Sequence, residues 1–137
     1  MENLKVAIQK KGRLTSPSQK FLKNKGLKFD SDSANLAVAC KNFPAEIIKM
    51  RDDDIPKFIS ESLVDFGIVG LNVLEESGFR ARVLKRLGFC KCSLKIAVPA
   101  NSGIFDISGL KGKRIATSYP NILNRFLRGN KIQAQLW

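Results

Sequence analysis

The sequence predicts an α/β fold, with a mostly parallel sheet in a first lobe and a second, shorter lobe of the same kind. Three observations carry this. The first is the pair of segments Arg51-Asp-Asp-Asp-Ile-Pro56 and Leu63-Val-Asp-Phe-Gly-Ile-Val-Gly70. An apolar run ends in an arginine, three acids and a proline follow, and an amphipathic stretch leads to a second apolar run closed by glycine. In physical terms this is strand, capped helix, buried strand and tight glycine turn, and such a turn lets backbone N–H groups approach a ligand closely. The second is the alternation of strand-like and helix-like segments along the chain, which implies parallel pairing. The third is an echo: Leu94-Lys-Ile-Ala-Val-Pro-Ala-Asn-Ser-Gly103 repeats the pattern of Leu4-Lys-Val-Ala-Ile-Gln-Lys-Lys-Gly12. It divides the chain into residues 1–92 and a partial second lobe, residues 93–137.

The elements follow in order. Leu4-Lys-Val-Ala-Ile-Gln9 alternates and is β-rich, so it is a strand. Lys10-Lys-Gly-Arg-Leu14 is a turn. Ser16 caps a helix with Pro17 at its first position, and Lys25-Gly26 stops it. Leu36-Ala-Val-Ala-Cys40 and Ile47-Ile-Lys-Met50 are strands joined as a hairpin through Asn42-Phe43-Pro44. Asp53 or Asp54 caps a short helix carrying Pro56, Phe58, Ile59 and Leu63. Residues 64–69 form a strand buried on both faces, as its continuous apolarity demands. A helix covers residues 72–77, and strands cover residues 82–87, 94–98, 113–118 and the stretch after Lys131. Tyr119-Pro120 opens a helix that Gly129-Asn130 stops. In such folds ligands sit beyond the carboxyl ends of the strands. That rule puts residues 10–13, 67–72, 100–103 and 117–120 on the functional rim.

Composition narrows the function. The chain has 137 residues, 44% hydrophobic, enough for a real core. It carries 24 basic and 12 acidic residues, a net charge of +12, and no histidine. Much of the excess lies near the start, in Lys5, Lys10, Lys11, Arg13, Lys20, Lys23, Lys25 and Lys28. A positive field attracts nucleic acid, anionic membranes or polyphosphates, and solvated lysine-rich faces are the plain alternative. Lack of histidine removes Ser-His-Asp and Cys-His mechanisms. Cys40, Cys90 and Cys92 make neither a disulfide framework nor a zinc pattern and read as free buried thiols. The first ten residues do not resemble a signal peptide, and no apolar run reaches the ~20 residues needed to span a bilayer. The expected location is cytoplasmic.

Several short motifs have two readings. Asp52-Asp53-Asp54 could hold a divalent cation, but acids before a proline more readily cap a helix. Asp65-Phe-Gly67 spells the kinase magnesium triplet without the rest of that signature set. No Walker A or G-x-G-x-x-G sequence occurs. Lys10, Lys11 and Arg13 around Gly12 suit a phosphate at a strand end, or form a solvated basic loop. Tyr119, the single tyrosine, could cover a purine or make a core contact. No catalytic residue and no metal ligand is assigned.

Taken together these segments resemble the catalytic subunit of ATP phosphoribosyltransferase, the first enzyme of histidine biosynthesis. The matching pieces are Ala7-Ile-Gln-Lys-Lys-Gly-Arg-Leu14, Arg51-Asp-Asp-Asp-Ile-Pro56, Val64-Asp-Phe-Gly-Ile-Val-Gly-Leu-Asn-Val-Leu-Glu75, Leu94-Lys-Ile-Ala-Val-Pro99 and Gly112-Lys-Arg-Ile-Ala-Thr-Ser-Tyr-Pro120. The resemblance implies two α/β lobes around a cleft, the type II periplasmic-binding-protein-like architecture, with the second lobe incomplete here. It implies transfer of phosphoribosyl from phosphoribosyl pyrophosphate to N1 of ATP, releasing pyrophosphate, with Mg²⁺ accompanying the substrates. Carried over by position, Lys11, Gly12 and Arg13 face anionic ligands. Gly67, Gly70, Asn72 and Val73 lie where the family touches the adenine nucleotide, although many relatives carry Asp at the position of Asn72. Thr117, Ser118 and Tyr119 lie beside the base. The implied partners are a second copy of the chain and, in the short family form, a synthetase-like regulatory subunit; long and short forms both remain open.

The family's phosphoribosyl pyrophosphate loop would follow the Thr-Ser-Tyr-Pro helix, and nothing like it occurs before Trp137. The chain therefore reads as truncated, and the 137 residues alone are expected to be inactive. Two other classes compete. A non-catalytic module for small anions or nucleotides, of periplasmic-binding-protein type, predicts a secretion signal. A nucleic-acid-binding domain predicts exposed aromatics among its cations; the phenylalanines fall at apolar-face positions instead, which ranks it last.

Overall fold

Strand β1 (Leu4–Gln9) is the centre from which the first unit is built. Its residues alternate between two faces, and each face meets a different helix. Val6 and Ile8 join Leu22, Phe29, Val38 and Ile47 in one buried cluster, and Ala7 joins Ile55 and Val64 in another. The computed structural model describes residues 2–137, divided into two units, Met1–Lys91 and Cys92–Trp137.

In the first unit, helix α1 (Thr15–Asn24) supplies Leu22 to the first cluster, and Gly26, with φ +99°, carries the chain out of it. Strands β2 (Ala37–Ala39) and β3 (Ala45–Met50) form the expected hairpin, pairing antiparallel with Val38 opposite Ile47. Asn42 fastens this hairpin to the end of α1, accepting from Lys28 N at 2.9 Å and donating to the Gly26 carbonyl at 2.6 Å. β3 runs parallel to β1, with Leu4 opposite Ala45 and Gln9 opposite Met50. A 3₁₀ turn at Asp52–Asp54 leads into α2 (Ile55–Ser60), which buries Ile55 and Pro56. Strand β4 (Phe66–Gly67) lies parallel on the other side of β1, with Ala7 opposite Gly67, and α3 (Leu71–Ser77) follows. The sheet order is β2-β3-β1-β4.

The second unit is one strand–helix–strand crossover. Strands β5 (Arg114–Ile115) and β6 (Gln135–Leu136) pair parallel, and α4 (Pro120–Gly129) connects them. Leu110, Leu123 and Leu127 are its buried residues. Before β5, the Asp106 side chain caps a 3₁₀ turn (Ile107–Leu110) by accepting from Ser108 N at 3.0 Å. The Arg114 guanidinium lies 5.5 Å from the Trp137 ring centre, a cation–π pair across the two strands.

Several expectations are corrected. The strand over residues 64–69 is only two residues of regular ladder at the sheet's edge, and Phe66 is 45% exposed. Its apolar run therefore does not report burial on both faces. Residues 82–87 and 94–98 form no strand. Val83, Leu84, Leu94, Ile96 and Val98 stand exposed there, because β propensity gives a strand only where a neighbour accepts its backbone hydrogen bonds. Helix α1 starts at Thr15, not after Ser16; Leu14 occupies the cap position without a side-chain bond, and Pro17 is the third residue. Asp54 sits at the cap position of α2, but its carboxylate takes Arg51 instead of a helical N–H. Cys40 is half-buried and Cys90 and Cys92 are exposed, so the thiols are free but not buried together. Phe43, Phe66, Phe79, Phe105 and Phe126 are all exposed, so the aromatic argument against nucleic acid does not hold.

Candidate functional site

Three parallel strands end on one edge of the first sheet. β1 ends at Gln9 and β3 at Met50, directly opposite each other, and β4 ends at Gly67 beside Ala7. The ladder continues one step past each end: Lys10 N donates to the Met50 carbonyl at 2.8 Å, and Ile68 N to the Ala7 carbonyl at 3.0 Å. The basic turn at residues 10–13, the Arg51–Asp54 segment and the glycine turn before α3 thus leave the sheet side by side. This is the edge where open α/β sheets bind ligands.

Lys11, Gly12 and Arg13 are exposed at this edge. Gly12 has φ +151°, which L side chains rarely adopt, so the turn favours glycine; a Cβ there would also lie 2.5 Å from Gln9 Nε2 and displace that side chain. The sequence gives Gln9 no site role beyond closing a strand within the matching segment of residues 7–14. In the structure its Oε1 accepts from Leu14 N at 2.9 Å and its carbonyl from Thr15 Oγ1 at 3.0 Å. The signal in the sequence is a polar side chain closing an apolar strand three residues before a turn glycine.

Arg51 and Asp54 form an ion pair, with Nε to Oδ2 at 3.2 Å. The hydrogen bond to Asp54, and then its charge, raise the Arg51 pKa above the ordinary guanidinium value. The Asp52 carboxylate accepts from Asp53 N at 2.9 Å. Two of the three acids are thereby engaged within the turn, and among the described residues no group of three or more His, Cys, Asp or Glu could hold a metal ion. These residues do not fit a protein-held Mg²⁺, which takes oxygen ligands in near-octahedral geometry.

The two glycines of the β4 turn differ. A Cβ on Gly67 would come 2.6 Å from Ile59 Cδ1 and 2.7 Å from Ile55 Cγ2, so α2 packs against that side. Packing by itself accounts for glycine there. A Cβ on Gly70 would come 2.7 Å from Asn72 Oδ1, which places the Asn72 carboxamide back over the turn. Asn72 and Val73 lie in the first turn of α3, and α3 packs on α2 and on the Asp52–Asp54 turn.

Thr117, Ser118 and Tyr119 lie in the second unit, between β5 and α4. Thr117 Oγ1 accepts from Tyr119 N at 2.8 Å, and the Tyr119 carbonyl accepts from Leu123 N at 3.0 Å. Tyr119 is the N-cap residue of α4, with Pro120 first in the helix, as expected from the sequence. Its ring is half-buried.

Comparison with known proteins adds the family. The family model described as HisG, ATP phosphoribosyltransferase, matches residues 51–137, well over half the chain. The ATP phosphoribosyltransferase of Cytophaga hutchinsonii is 44% identical over 133 residues, covering 97% of this chain and 46% of its own length. That of Bacteroides fragilis is 40% identical over 133 residues, covering 97% and 47%. The chain spans about half the length of these curated relatives. A solved structure, the ATP phosphoribosyl transferase (HisG:HisZ) complex from Thermotoga maritima, superposes with a TM-score of 0.67 at 23% identity, over 98% of this chain and 63% of that one. That likeness shows a shared α/β fold. On the strength of the family match and the relatives that cover nearly all of its residues, this chain belongs to the ATP phosphoribosyltransferase family.

Proposed function

We propose that this chain carries the nucleotide-binding part of an ATP phosphoribosyltransferase. The whole protein would form a bond from N1 of the ATP adenine to C1′ of phosphoribosyl pyrophosphate as the C1′–O bond to pyrophosphate breaks. The observation that carries this is the convergence, in a chain of this family, of the basic turn and the glycine turn on one sheet edge. Lys11, Gly12 and Arg13 would take phosphate oxygens, Lys11 as a point charge and Arg13 as a planar fork. Gly70, Asn72 and Val73 would line the nucleotide beside them, and Gly67 would set the turn through its packing. In the second unit, Thr117, Ser118 and Tyr119 are proposed nucleotide contacts on the resemblance alone. Charge develops on the departing pyrophosphate, and fixed cations oppose it without reorganising. No histidine is needed for such a step, and none is present. Magnesium enters this reading only as the ion carried on the substrates' phosphates.

The finer architecture belongs to the same proposal: a type II periplasmic-binding-like pair of lobes, residues 1–92 and 93–137, that the rest of the protein completes. So do its assembly into a homo-oligomer, with a synthetase-like regulatory subunit, and a cytoplasmic location; the Thermotoga structure is named as a HisG:HisZ complex. Among the described residues no helix is long and apolar enough to cross a membrane. Calorimetric titration of the chain with ATP or AMP tests the nucleotide reading. Weak binding is expected, and Tyr119→Ala should weaken it by about 1–2 kcal/mol if the ring stacks on the base. A folded sample that binds neither nucleotide at millimolar concentration would refute the reading.

A further inference from the structure

We propose that Gln9 is a positioning residue for the basic turn, fixing residues 11–13 in the form that presents their backbone N–H groups to a phosphate. This rests on the phosphate-binding reading of that turn given above. Gln9 closes β1 and is anchored in the ladder opposite Met50. Its side chain does not continue outward but turns into the loop. Oε1 accepts from Leu14 N at 2.9 Å, and the carboxamide lies against the Gly12 α-carbon, where a Cβ would stand 2.5 Å from Nε2 and 2.7 Å from both Cδ and Oε1. The Gln9 carbonyl also receives the Thr15 hydroxyl at 3.0 Å, so the residue before the turn holds the two residues after it.

The consequence is a division of donors. Gln9 satisfies the Leu14 N–H at the start of α1. The N–H groups of Lys11, Gly12 and Arg13 make no hydrogen bond within the protein among the described residues. Three successive free N–H groups in a turn, flanked by cations, are the donors that an anion site of this kind uses. Gln9 and Gly12 act as one unit here: the missing Cβ admits the amide, and the amide supports the turn.

The test uses the 137-residue chain and inorganic pyrophosphate as probe. Gln9→Met keeps the length of the side chain and removes the acceptor. Leu14 amide exchange should accelerate, and pyrophosphate should bind about fivefold to tenfold more weakly, the effect of one hydrogen bond. Gln9→Glu keeps an acceptor for Leu14 N–H but adds a negative charge beneath the turn. Leu14 protection should then stay near wild type while pyrophosphate binds more weakly than to Gln9→Met. A general loss of stability would speed amide exchange throughout the first unit, so acceleration confined to Leu14 together with weaker binding in Gln9→Met marks positioning, and Gln9→Glu separates the added charge from the lost bond. If Gln9→Met binds like wild type while Lys11→Gln binds weakly, the positioning role is overturned and the phosphate reading stands. If wild type binds no pyrophosphate at millimolar concentration, the phosphate reading fails and the Gln9 proposal with it. Should Gln9→Met not fold, Gln9→Asn, whose carboxamide is one methylene short of Leu14 N, takes its place, and undiminished pyrophosphate binding by it overturns the proposal.

Discussion

Replacing Gly67 by alanine tests whether helix packing, and not backbone freedom, dictates that glycine. Its φ lies outside the left-handed region, so alanine brings a methyl group and no backbone strain. That methyl would meet Ile59 Cδ1 at 2.6 Å, Ile55 Cγ2 at 2.7 Å and Ile59 Cγ1 at 3.2 Å. Ile55 is fully buried with Ala7 and Val64 and has no room to retreat. Overpacking of this kind costs about 1–3 kcal/mol. The lower entropy of an unfolded chain with alanine returns about 0.4–1 kcal/mol. The expected net loss is therefore about 1–2 kcal/mol. Ile59→Val deletes the Cδ1 atom of the shorter contact and by itself should cost near the lower end of about 0.5–1.5 kcal/mol, since Ile59 is only half-buried. Together the two changes should cost less than their sum by at least about 0.5 kcal/mol, because they share one contact. Amide exchange of Val6, Ala7 and Ile8 reads the first unit directly. Trp137, the single tryptophan, lies in the second unit, and its fluorescence serves as an internal control. A Gly67→Ala protein as stable as wild type, or strict additivity in the double variant, would refute the packing argument.

Three further outcomes follow from single side chains. Ser18 is fully buried and its hydroxyl has no hydrogen-bond partner among the described residues, so Ser18→Ala should raise stability by about 1 kcal/mol in urea unfolding; a loss would reveal a partner. Burial raises the Cys40 thiol pKa, so iodoacetamide near neutral pH should modify exposed Cys90 and Cys92 first and Cys40 last, as peptide mass mapping would show. Hydrogen bonds from the Ser108 side chain, then its backbone, lower the Asp106 pKa. The stability this contributes is complete above the unfolded aspartate range and fades as pH falls through the lowered folded value. The Ser108 amide resonance should therefore titrate below the ordinary aspartate range and lose that transition in Asp106→Asn; a midpoint at the ordinary value would count against the cap.

The parts of the fold that were legible are those where the short-range pattern and the final environment agree. The alternation in Leu4–Gln9 holds because both faces of β1 are covered, Val6 and Ile8 by one cluster and Ala7 by the other. The hairpin over β2 and β3 and the Tyr119-Pro120 helix start depend on neighbours a few residues away, and both are present. Residues 94–98 carry the same kind of alternation and residues 82–87 a mixed apolar run, and neither forms anything regular. A strand is a property of a pair, and the pattern of one segment does not say whether the other exists. Phe66 makes the same point at the sheet's edge: it belongs to an apolar run and still stands 45% exposed.

The candidate site was legible in its backbone and not in its side chains. Position along parallel strands puts the basic turn and the glycine turn on the same edge, because that follows from direction of pairing alone. What fixes each turn did not follow. Both Gly12 and Gly67 were noticed as glycines at strand ends, yet they are glycine for different reasons. Gly12 has a left-handed φ and a carboxamide against its α-carbon, whereas Gly67 has ordinary backbone and two isoleucines against it. Gln9 and Ile55 precede their glycines by three and twelve residues, and neither spacing forms a motif. The aspartates were misassigned for a related reason. A carboxylate before a helix has two near-equal options, a backbone N–H or a neighbouring cation. Here Arg51, three residues before Asp54, takes the carboxylate and leaves the cap unfilled. Such a choice turns on side-chain geometry at an exposed surface, where the competing free energies differ by no more than about 1 kcal/mol. Sequence spacing does not resolve a difference of that size, and the loops that bind ligands are built mostly from such choices.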